Sequence, residues 1–206
     1  MKFRALGFVL ILLAFFPQPT QAAEVTSQAI ATAPGVNIDT SLFLPQKLPA
    51  PAILLAHGFG GSKDSVIAEA KFYQERGYVV MTWTARGFGK STGQITMNST
   101  DAEISDIRLL ISALSKNKSV IQDGSGDPRV GIAGASYGGA AALMTAALDK
   151  RIDAVIADIT WSDMQQALFP QSAVGVTEPG PFKNIDRKST RLNSSHVSEF
   201  RMPSSA

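Results

Sequence analysis

The hydrophobic positions of the chain fall into short, nearly continuous runs that alternate with helical patterns. Four runs have the length of strands: Ala52–Ala56, Tyr78–Thr84, the residues leading to Gly134, and Ala154–Ala157. Val36–Leu44, which also contains polar residues, is predicted to be an early extended strand that ends before Pro45. Continuous apolar runs of this length are typical of strands buried on both faces of a parallel sheet. The alternation therefore predicts an α/β fold with a mostly parallel sheet and helices on both faces.

The segments between these runs have the period of amphipathic helices. One helix is predicted over Ser65–Arg76, where Gly77 provides the stop signal. A second is predicted over Asp101–Ser115, with Asp101 as its N-cap and Glu103 in its first turn. Its apolar residues share one face: Ile104, Ile107, Leu110, Ile111 and Leu114. An alanine-rich helical pattern follows the glycines at 138 and 139.

The sequence Gly134-Ala135-Ser136-Tyr137-Gly138 stands between an apolar run and the alanine-rich helix. A Gly-x-Ser-x-Gly pattern in this context is typical of a nucleophile elbow, where a tight turn exposes the serine hydroxyl. Gly134 and Gly138 would allow strand and helix to approach closely, and Ser136 is the candidate nucleophile. The alternative is an ordinary glycine-rich connection of an α/β protein.

A second glycine-rich loop, His57-Gly58-Phe59-Gly60-Gly61, follows the strand Ala52–Ala56. Acyl transfer to a serine requires backbone N–H groups aimed at the developing oxyanion. We expect one donor from Tyr137, the residue after the nucleophile, and the other from Phe59 in this loop. The side chain of His57 is interpreted as a brace of the loop, because the general base of such folds comes later in the chain.

A third loop, Thr84–Gly93, contains Gly89-Lys90-Ser91, which permits a phosphate-loop interpretation. That pattern requires a glycine where Thr84 stands, and Gly93 interrupts the helix that should begin at Ser91. The loop is therefore interpreted as structural, with Arg86 bracing neighbouring loops near the site.

These three loops, in this order and spacing, resemble the α/β-hydrolase superfamily. The Arg-Gly-x-Gly-x-Ser-x-Gly pattern from Arg86 to Gly93 and the Gly-x-Ser-Tyr-Gly-Gly elbow are similar to the Xaa-Pro dipeptidyl-peptidase and cocaine-esterase-like branch. The likeness covers about residues 36–170. It implies a serine hydrolase with no metal or organic cofactor, acting on a small-molecule or peptide substrate. In several relatives a tyrosine of the first loop assists the oxyanion hole, and Phe59 stands in that region here.

Residues 1–22 have the features of a cleaved secretory signal peptide. Lys2 and Arg4 form a basic start, Ala5–Phe16 is uninterrupted and apolar, and Thr20-x-Ala22 provides a small-residue cleavage site. The apolar run is well short of the ~20 residues that span a bilayer. We therefore expect cleavage, no stable membrane anchor afterwards, and a periplasmic or secreted protein.

Residues 186–206 have neither apolar periodicity nor turn signals. Asp186–His196 resembles, residue for residue, the translation of a widely used sequencing adapter, and Arg201–Ala206 resembles its far end. The alternative is an ordinary disordered polar tail. We expect residues 186–206 to be artefactual and residues 23–185 to be the N-terminal part of a hydrolase domain, truncated after the strand that follows the elbow.

Charge and cysteine content exclude several classes of function. The chain has 19 basic and 17 acidic residues, and residues 23–185 alone carry 13 and 15. This near balance gives no basis for binding nucleic acid or an anionic membrane. The absence of cysteine excludes disulfides and thiolate metal sites.

The predicted function is an exported serine hydrolase that cleaves a peptide or ester bond through an acyl-serine intermediate. In this fold the catalytic carboxylate and then the histidine follow the serine. The two histidines are His57 and His196, and His196 lies in the adapter-like segment. Asp158 and Asp163 come one strand too early for the usual acid and are interpreted as loop or capping residues. The fragment should therefore be inactive. The alternative is a non-catalytic binding protein on the same scaffold.

Overall fold

The structure is a computed structural model that describes residues 24–164 and Ala167; the predicted signal peptide and the adapter-like segment lie outside these residues. The described strands are β1 (Glu24–Ala33), β2 (Val36–Leu44), β3 (Ala52–Ala56), β4 (Val79–Trp83), β5 (Gln122–Gly124), β6 (Asp127–Pro128), β7 (Val130–Ala135) and β8 (Ile152–Asp158). The α-helices are α1 (Ile67–Glu75), α2 (Glu103–Ser115) and α3 (Tyr137–Leu148). A short 3₁₀ helix, Lys63–Val66, leads into α1.

Six strands form one sheet in the order β1-β2-β4-β3-β7-β8, and β5 pairs with β6 separately. The strands β4, β3, β7 and β8 are parallel, whereas β2 pairs antiparallel with β4 and with the edge strand β1. The mostly parallel sheet predicted from the apolar runs is confirmed. The edge strand β1 was not predicted, and most of its residues are exposed.

Both faces of the sheet are covered by helices, as predicted. On one face, the apolar stripe of α2 and the residues Ala141 and Ala142 of α3 pack on strand residues such as Leu54 and Ile132. On the opposite face, Ala70 of α1 packs near Leu55, which alternates with Leu54 along β3. All five apolar residues predicted for the buried face of α2 are at most 1 % exposed.

The predicted N-cap of α2 is wrong. The cap position is occupied by Ala102, with no side-chain hydrogen bond, and Asp101 is exposed. The preceding turn closes through the backbone instead, because the N–H groups of Ala102 and Ile104 both donate to the carbonyl of Ser99. The chain therefore enters α2 one residue later than the Asp101 signal indicates.

The parallel strands place the three glycine-rich loops at one edge of the sheet. The loops follow β3, β4 and β7, and the carboxyl ends of parallel strands meet at the same edge, which is where open α/β sheets bind ligands. Across the part of the chain that the structure describes, no helix is long and apolar enough to cross a bilayer.

Candidate active site

Ser136 lies in the sharp turn between β7 and α3, where the sequence predicts the nucleophile. Its backbone has φ 54° and ψ −119°, a positive-φ conformation that is strained for a residue with a side chain. The Ser136 N–H donates to the carbonyl of Asp158 at 2.9 Å. The Ser136 carbonyl accepts from the Thr160 hydroxyl at 2.8 Å and from the Ala140 N–H at 3.0 Å. The turn is thus fixed both by α3 and by the segment after β8.

Glycines allow the strand, the helix and the first loop to touch at this turn. A Cβ atom at Gly134 would lie 2.6 Å from the carbonyl carbon and oxygen of Gly138. A Cβ atom at Gly138 would lie 2.7 Å from the carbonyl oxygens of Ala56 and His57. These neighbours are backbone atoms, so no side-chain rotation could relieve the overlap. The close approach expected from the Gly-x-Ser-x-Gly spacing is therefore present.

His57 is buried at the start of the loop 57–61, and both ring nitrogens have partners. Nε2 accepts from the backbone N–H of Ala85 at 2.9 Å, and Nδ1 lies 2.7 Å from the carbonyl of Gly58. Because the Ala85 N–H can only donate, Nε2 carries no proton, and Nδ1–H donates to Gly58. Burial lowers the pKa of His57 below 6.5, against the opposing effect of the Gly58 hydrogen bond. These contacts are those of a loop brace.

Phe59 and Tyr137, the two residues expected to supply oxyanion donors, are in contact. The Phe59 side chain is 48 % exposed, and its ring packs edge-to-face on Phe88 and Tyr137 at centroid distances of 5.3 and 5.7 Å. Phe88 and Tyr137 are buried. As the first residue of α3, Tyr137 has a backbone N–H without an intrahelical acceptor. The aromatic rings therefore join the first loop to the start of α3 next to Ser136.

The loop after β4 is held by its own polar groups. The Ser91 hydroxyl donates to the Thr84 carbonyl at 2.6 Å and accepts from the Asp39 N–H at 2.9 Å. Lys90 is exposed. Because the Ser91 hydroxyl is engaged with the backbone of its own loop and of β2, the contacts favour the structural interpretation over a phosphate loop.

Arg86 connects this loop to α2. Its guanidinium forms a bidentate pair with Asp106, with Nε–Oδ2 and Nη2–Oδ1 distances of 2.6 and 2.7 Å. The two side chains are 12 % and 3 % exposed. The hydrogen bond to Asp106 raises the pKa of Arg86 above its ordinary value. The predicted bracing role thus takes the form of a nearly buried ion pair between loop and helix.

A buried carboxylate, Glu103, lies beneath Tyr137, although the sequence predicts no role for it beyond the first turn of α2. It is 2 % exposed and accepts a hydrogen bond from the Tyr137 hydroxyl at 3.3 Å. The Asn98 amide donates to the Tyr137 carbonyl at 3.0 Å. Burial and the Glu103 carboxylate both raise the pKa of Tyr137, so this phenol stays protonated. No sequence signal could have revealed Glu103, since acidic residues are ordinary in first turns.

The described residues do not bring a general base to Ser136. His57 is the histidine among them, and both of its nitrogens are engaged. Asp158 contacts Ser136 through its backbone carbonyl, and Asp163 lies in the segment after β8, where its carbonyl accepts from the Ala167 N–H at 3.0 Å. The structure therefore brings together the predicted nucleophile, the two residues expected to supply oxyanion donors, and the residues that brace them.

The strand order, the parallel strands and the strained serine between β7 and α3 define an α/β hydrolase. Residues 34–199 match the family model described as X-Pro dipeptidyl-peptidase (S15 family). The chain belongs to this family. The matched range includes part of the adapter-like segment.

Two curated proteins and one solved structure illustrate the similarity. The chain is 34 % identical over 135 residues to the quorum-quenching protein AidA of Acinetobacter baumannii (strain MDR-ZJ06), covering 62 % of this chain and 41 % of that protein. It is 30 % identical over 129 residues to the polyketide transferase grgF of Penicillium sp, with coverages of 61 % and 42 %. A crystal structure of a hypothetical protein from Pseudomonas aeruginosa matches with a TM-score of 0.61 at 26 % identity, covering 74 % of this chain and 48 % of that one. The chain spans about two fifths of the length of these curated relatives.

Proposed function

We propose that this chain is the N-terminal part of an exported serine hydrolase that cleaves a peptide or ester bond through an acyl-serine intermediate. We refer to the complete gene product as the parent protein. The observation that carries the proposal is the Ser136 turn, in which a serine holds a strained positive φ at the start of α3. Strain of this kind persists where the surrounding structure enforces it, and it is concentrated at functional sites.

The reaction begins when the Ser136 hydroxyl attacks the carbonyl carbon of the substrate and gives its proton to a histidine in the part of the parent protein beyond residue 167. The carbonyl oxygen becomes an oxyanion, which accepts hydrogen bonds from the backbone N–H groups of Phe59 and Tyr137. Collapse of this intermediate breaks the bond to the amine or alcohol, which leaves with the proton from the histidine. Water then attacks the acyl-serine, releases the acid and regenerates Ser136.

Two features support these roles. The Tyr137 N–H has no intrahelical acceptor, so it can donate to a ligand. The loop that carries Phe59 is tied to β4 through His57 and Ala85, so its backbone is held before substrate arrives. Preorganised donors of this kind account for much of the rate enhancement of acyl transfer. Because amides and esters pass through the same oxyanion, these residues support either substrate class.

Export is proposed from the features of residues 1–22, with cleavage after Ala22. The secreted or periplasmic form of the parent protein should begin at Ala23 or close to it. N-terminal sequencing of exported material tests this expectation, and a sequence that begins at Met1 would rule out cleavage.

The catalytic proposal is tested by labelling the parent protein with a fluorophosphonate probe. One adduct is expected by intact mass, and peptide mapping should locate it at Ser136. The variant Ser136→Ala should remain unlabelled while keeping the melting temperature of the wild type. An adduct that persists in this variant contradicts the assignment. A folded wild type without an adduct, and without histidine and acid in the rest of the gene, would favour a non-catalytic binding protein on this scaffold.

A further inference from the structure

We propose that Glu103 is a positioning residue, which joins Tyr137 to the loop 96–99 beneath Ser136 and so fixes the direction of the Tyr137 backbone N–H. This inference rests on the proposed function, in which that N–H is one of the two oxyanion donors. Glu103 acts through Tyr137, because its contacts are with the phenol and the loop beneath the turn.

The Glu103 carboxylate has four hydrogen-bond donors around it. Oε1 accepts from the Thr96 N–H at 2.6 Å and from the Tyr137 hydroxyl at 3.3 Å. Oε2 accepts from the Thr96 hydroxyl and from the Ser99 N–H at 3.2 Å. An ionised carboxylate offers about four acceptor positions and no donor. The four donors around Glu103 therefore match the acceptor positions of an ionised side chain. A glutamine in this position would direct its NH₂ group at the backbone N–H of either Thr96 or Ser99, whichever way its amide is oriented, and neither N–H can accept.

Tyr137 is held at three separate points. Its ring is packed by Phe59 and Phe88, its hydroxyl is bound by Glu103, and its carbonyl accepts from the Asn98 amide. The cavity lined in part by Tyr137, Glu103 and Asn98 measures about 10 Å³, a volume that no more than one water molecule fills. The side chain therefore has little room to rotate, and the backbone N–H at its base keeps its direction.

The loop 96–99 is strained, and Glu103 holds both of its ends. Met97 and Asn98 have φ values of 56° and 63°, a region that asparagine tolerates and methionine avoids. The residues on either side, Thr96 and Ser99, donate to Glu103. Two successive residues in this region persist only where their surroundings enforce it. Loss of the carboxylate should let the loop relax and withdraw the Asn98 amide from the turn.

The test compares Glu103→Gln and Tyr137→Phe in the parent protein, with Glu75→Gln as the matched control. Glu75 is an exposed residue at the end of α1. Each kcat is referred to the number of sites titrated by a fluorophosphonate, so that unfolded protein does not count. Loss of one oxyanion donor lowers kcat by ~10²–10³. We therefore expect about a tenfold to hundredfold loss for Glu103→Gln and about a threefold to tenfold loss for Tyr137→Phe, with KM changed less than about twofold in both.

A second readout is the affinity for a phenylboronic acid, which forms a tetrahedral adduct on the serine and occupies the oxyanion hole. This affinity should fall in parallel with kcat in both variants and stay unchanged in Glu75→Gln. A purely structural role for Glu103 would reduce the yield or the melting temperature and leave kcat per titrated site and boronate affinity as they are. If Glu103→Gln does not fold, Tyr137→Phe decides, because it removes one hydroxyl and keeps the carboxylate and the ring contacts.

The inference is overturned if Tyr137→Phe keeps kcat per titrated site within twofold of the wild type. A loss of kcat/KM that comes entirely from a higher KM would overturn it as well. Failure of the proposed function has a different signature, since the wild type itself would then show neither labelling at Ser136 nor hydrolysis. An active wild type with unaffected variants removes the role of Glu103 alone.

Discussion

The Nε2 atom of His57 accepts a hydrogen bond from the backbone N–H of Ala85 at 2.9 Å, which joins the loop after β3 to the end of β4. An imidazolium has no lone pair at this atom, so protonation of the ring breaks the bond and leaves a buried N–H without an acceptor. The lowered pKa of His57 has the same origin, because burial disfavours the charged ring. The loop expected to carry an oxyanion donor is thus held by a neutral histidine.

Stability should therefore fall as the pH decreases below about 6.5, the pKa of an unperturbed histidine. Between this value and the lower pKa of the folded state, the unfolded chain binds more protons, so the free energy of unfolding decreases with decreasing pH. Above pH 6.5 both states are neutral at His57, and the contribution is fully present. Urea unfolding of the parent protein and of His57→Gln, from pH 7.5 to pH 5, measures this effect. The stability difference between them should shrink towards pH 5, and a constant difference would contradict the explanation.

The glycines of the elbow should not tolerate a methyl group. Gly134→Ala and Gly138→Ala each place a Cβ within 2.7 Å of backbone atoms. We expect losses at or above the upper end of the ~1–3 kcal/mol typical of overpacked sites. Gly124→Ala is the matched control, because the nearest atom to its Cβ is the Asp127 Cβ at an ordinary 3.7 Å. Thermal melts of the three variants decide the matter, and equal melting temperatures would mean that β7 and α3 can move apart.

Local sequence patterns predict much of the fold. The apolar run Ala52–Ala56 coincides with β3, because short continuous apolar runs are typical of strands covered on both faces, and the extended strand expected over Val36–Leu44 coincides with β2. The sequence does not predict β1, because this edge strand is stabilised by backbone pairing with β2 rather than by buried side chains. Backbone pairing has no residue pattern of its own.

The candidate site likewise has one part that a local sequence pattern predicts and one part that depends on tertiary contacts. Ser136 and the two glycines around it belong to one turn, whose geometry demands those residue types at that spacing. The contact between Glu103 and Tyr137 joins two helices that are distant in the sequence, and it depends on the packing of both helices on the sheet. In the sequence, an acidic residue in the first turn of a helix has the same pattern whether its side chain faces solvent or a buried phenol.

Breaking the ion pair of Arg86 and Asp106 should reduce stability, because it leaves a buried carboxylate unpaired. Arg86→Ala leaves the Asp106 carboxylate, 3 % exposed, without its partner. We expect a loss of about 3 kcal/mol, the lower end of the range for breaking buried pairs, because 12 % of the Arg86 side chain remains exposed. The control is Arg129→Ala in the exposed pair of Arg129 and Asp123, which should change little. Denaturant unfolding of both variants measures the contrast, and equal effects would show that burial does not set the energy of the Arg86 pair.

The last prediction concerns the residues 23–185 expressed alone, which should neither hydrolyse substrates nor fold as a stable monomer. The catalytic reason is that His57, the one histidine within this range, is committed to Ala85 and Gly58. Loss of a triad member leaves only the ~10³–10⁴-fold catalysis that the oxyanion hole and binding provide.

The reason for the instability lies in β8. Val155 and Ile156 of this strand are 38 % and 57 % exposed, and within the described residues β8 pairs with β7 alone. An apolar, unpaired strand edge is a template for pairing with other chains, and a whole domain is stable by only ~5–15 kcal/mol. Size-exclusion chromatography should show self-association, and calorimetry should show no cooperative melting. The variant Ile156→Lys should reduce self-association, because a charge on an edge strand opposes pairing, and it should not create activity. The parent protein should be monodisperse and active. A monomeric, cooperatively melting and esterase-active product from residues 23–185 would show that the domain is complete without a further strand beside β8.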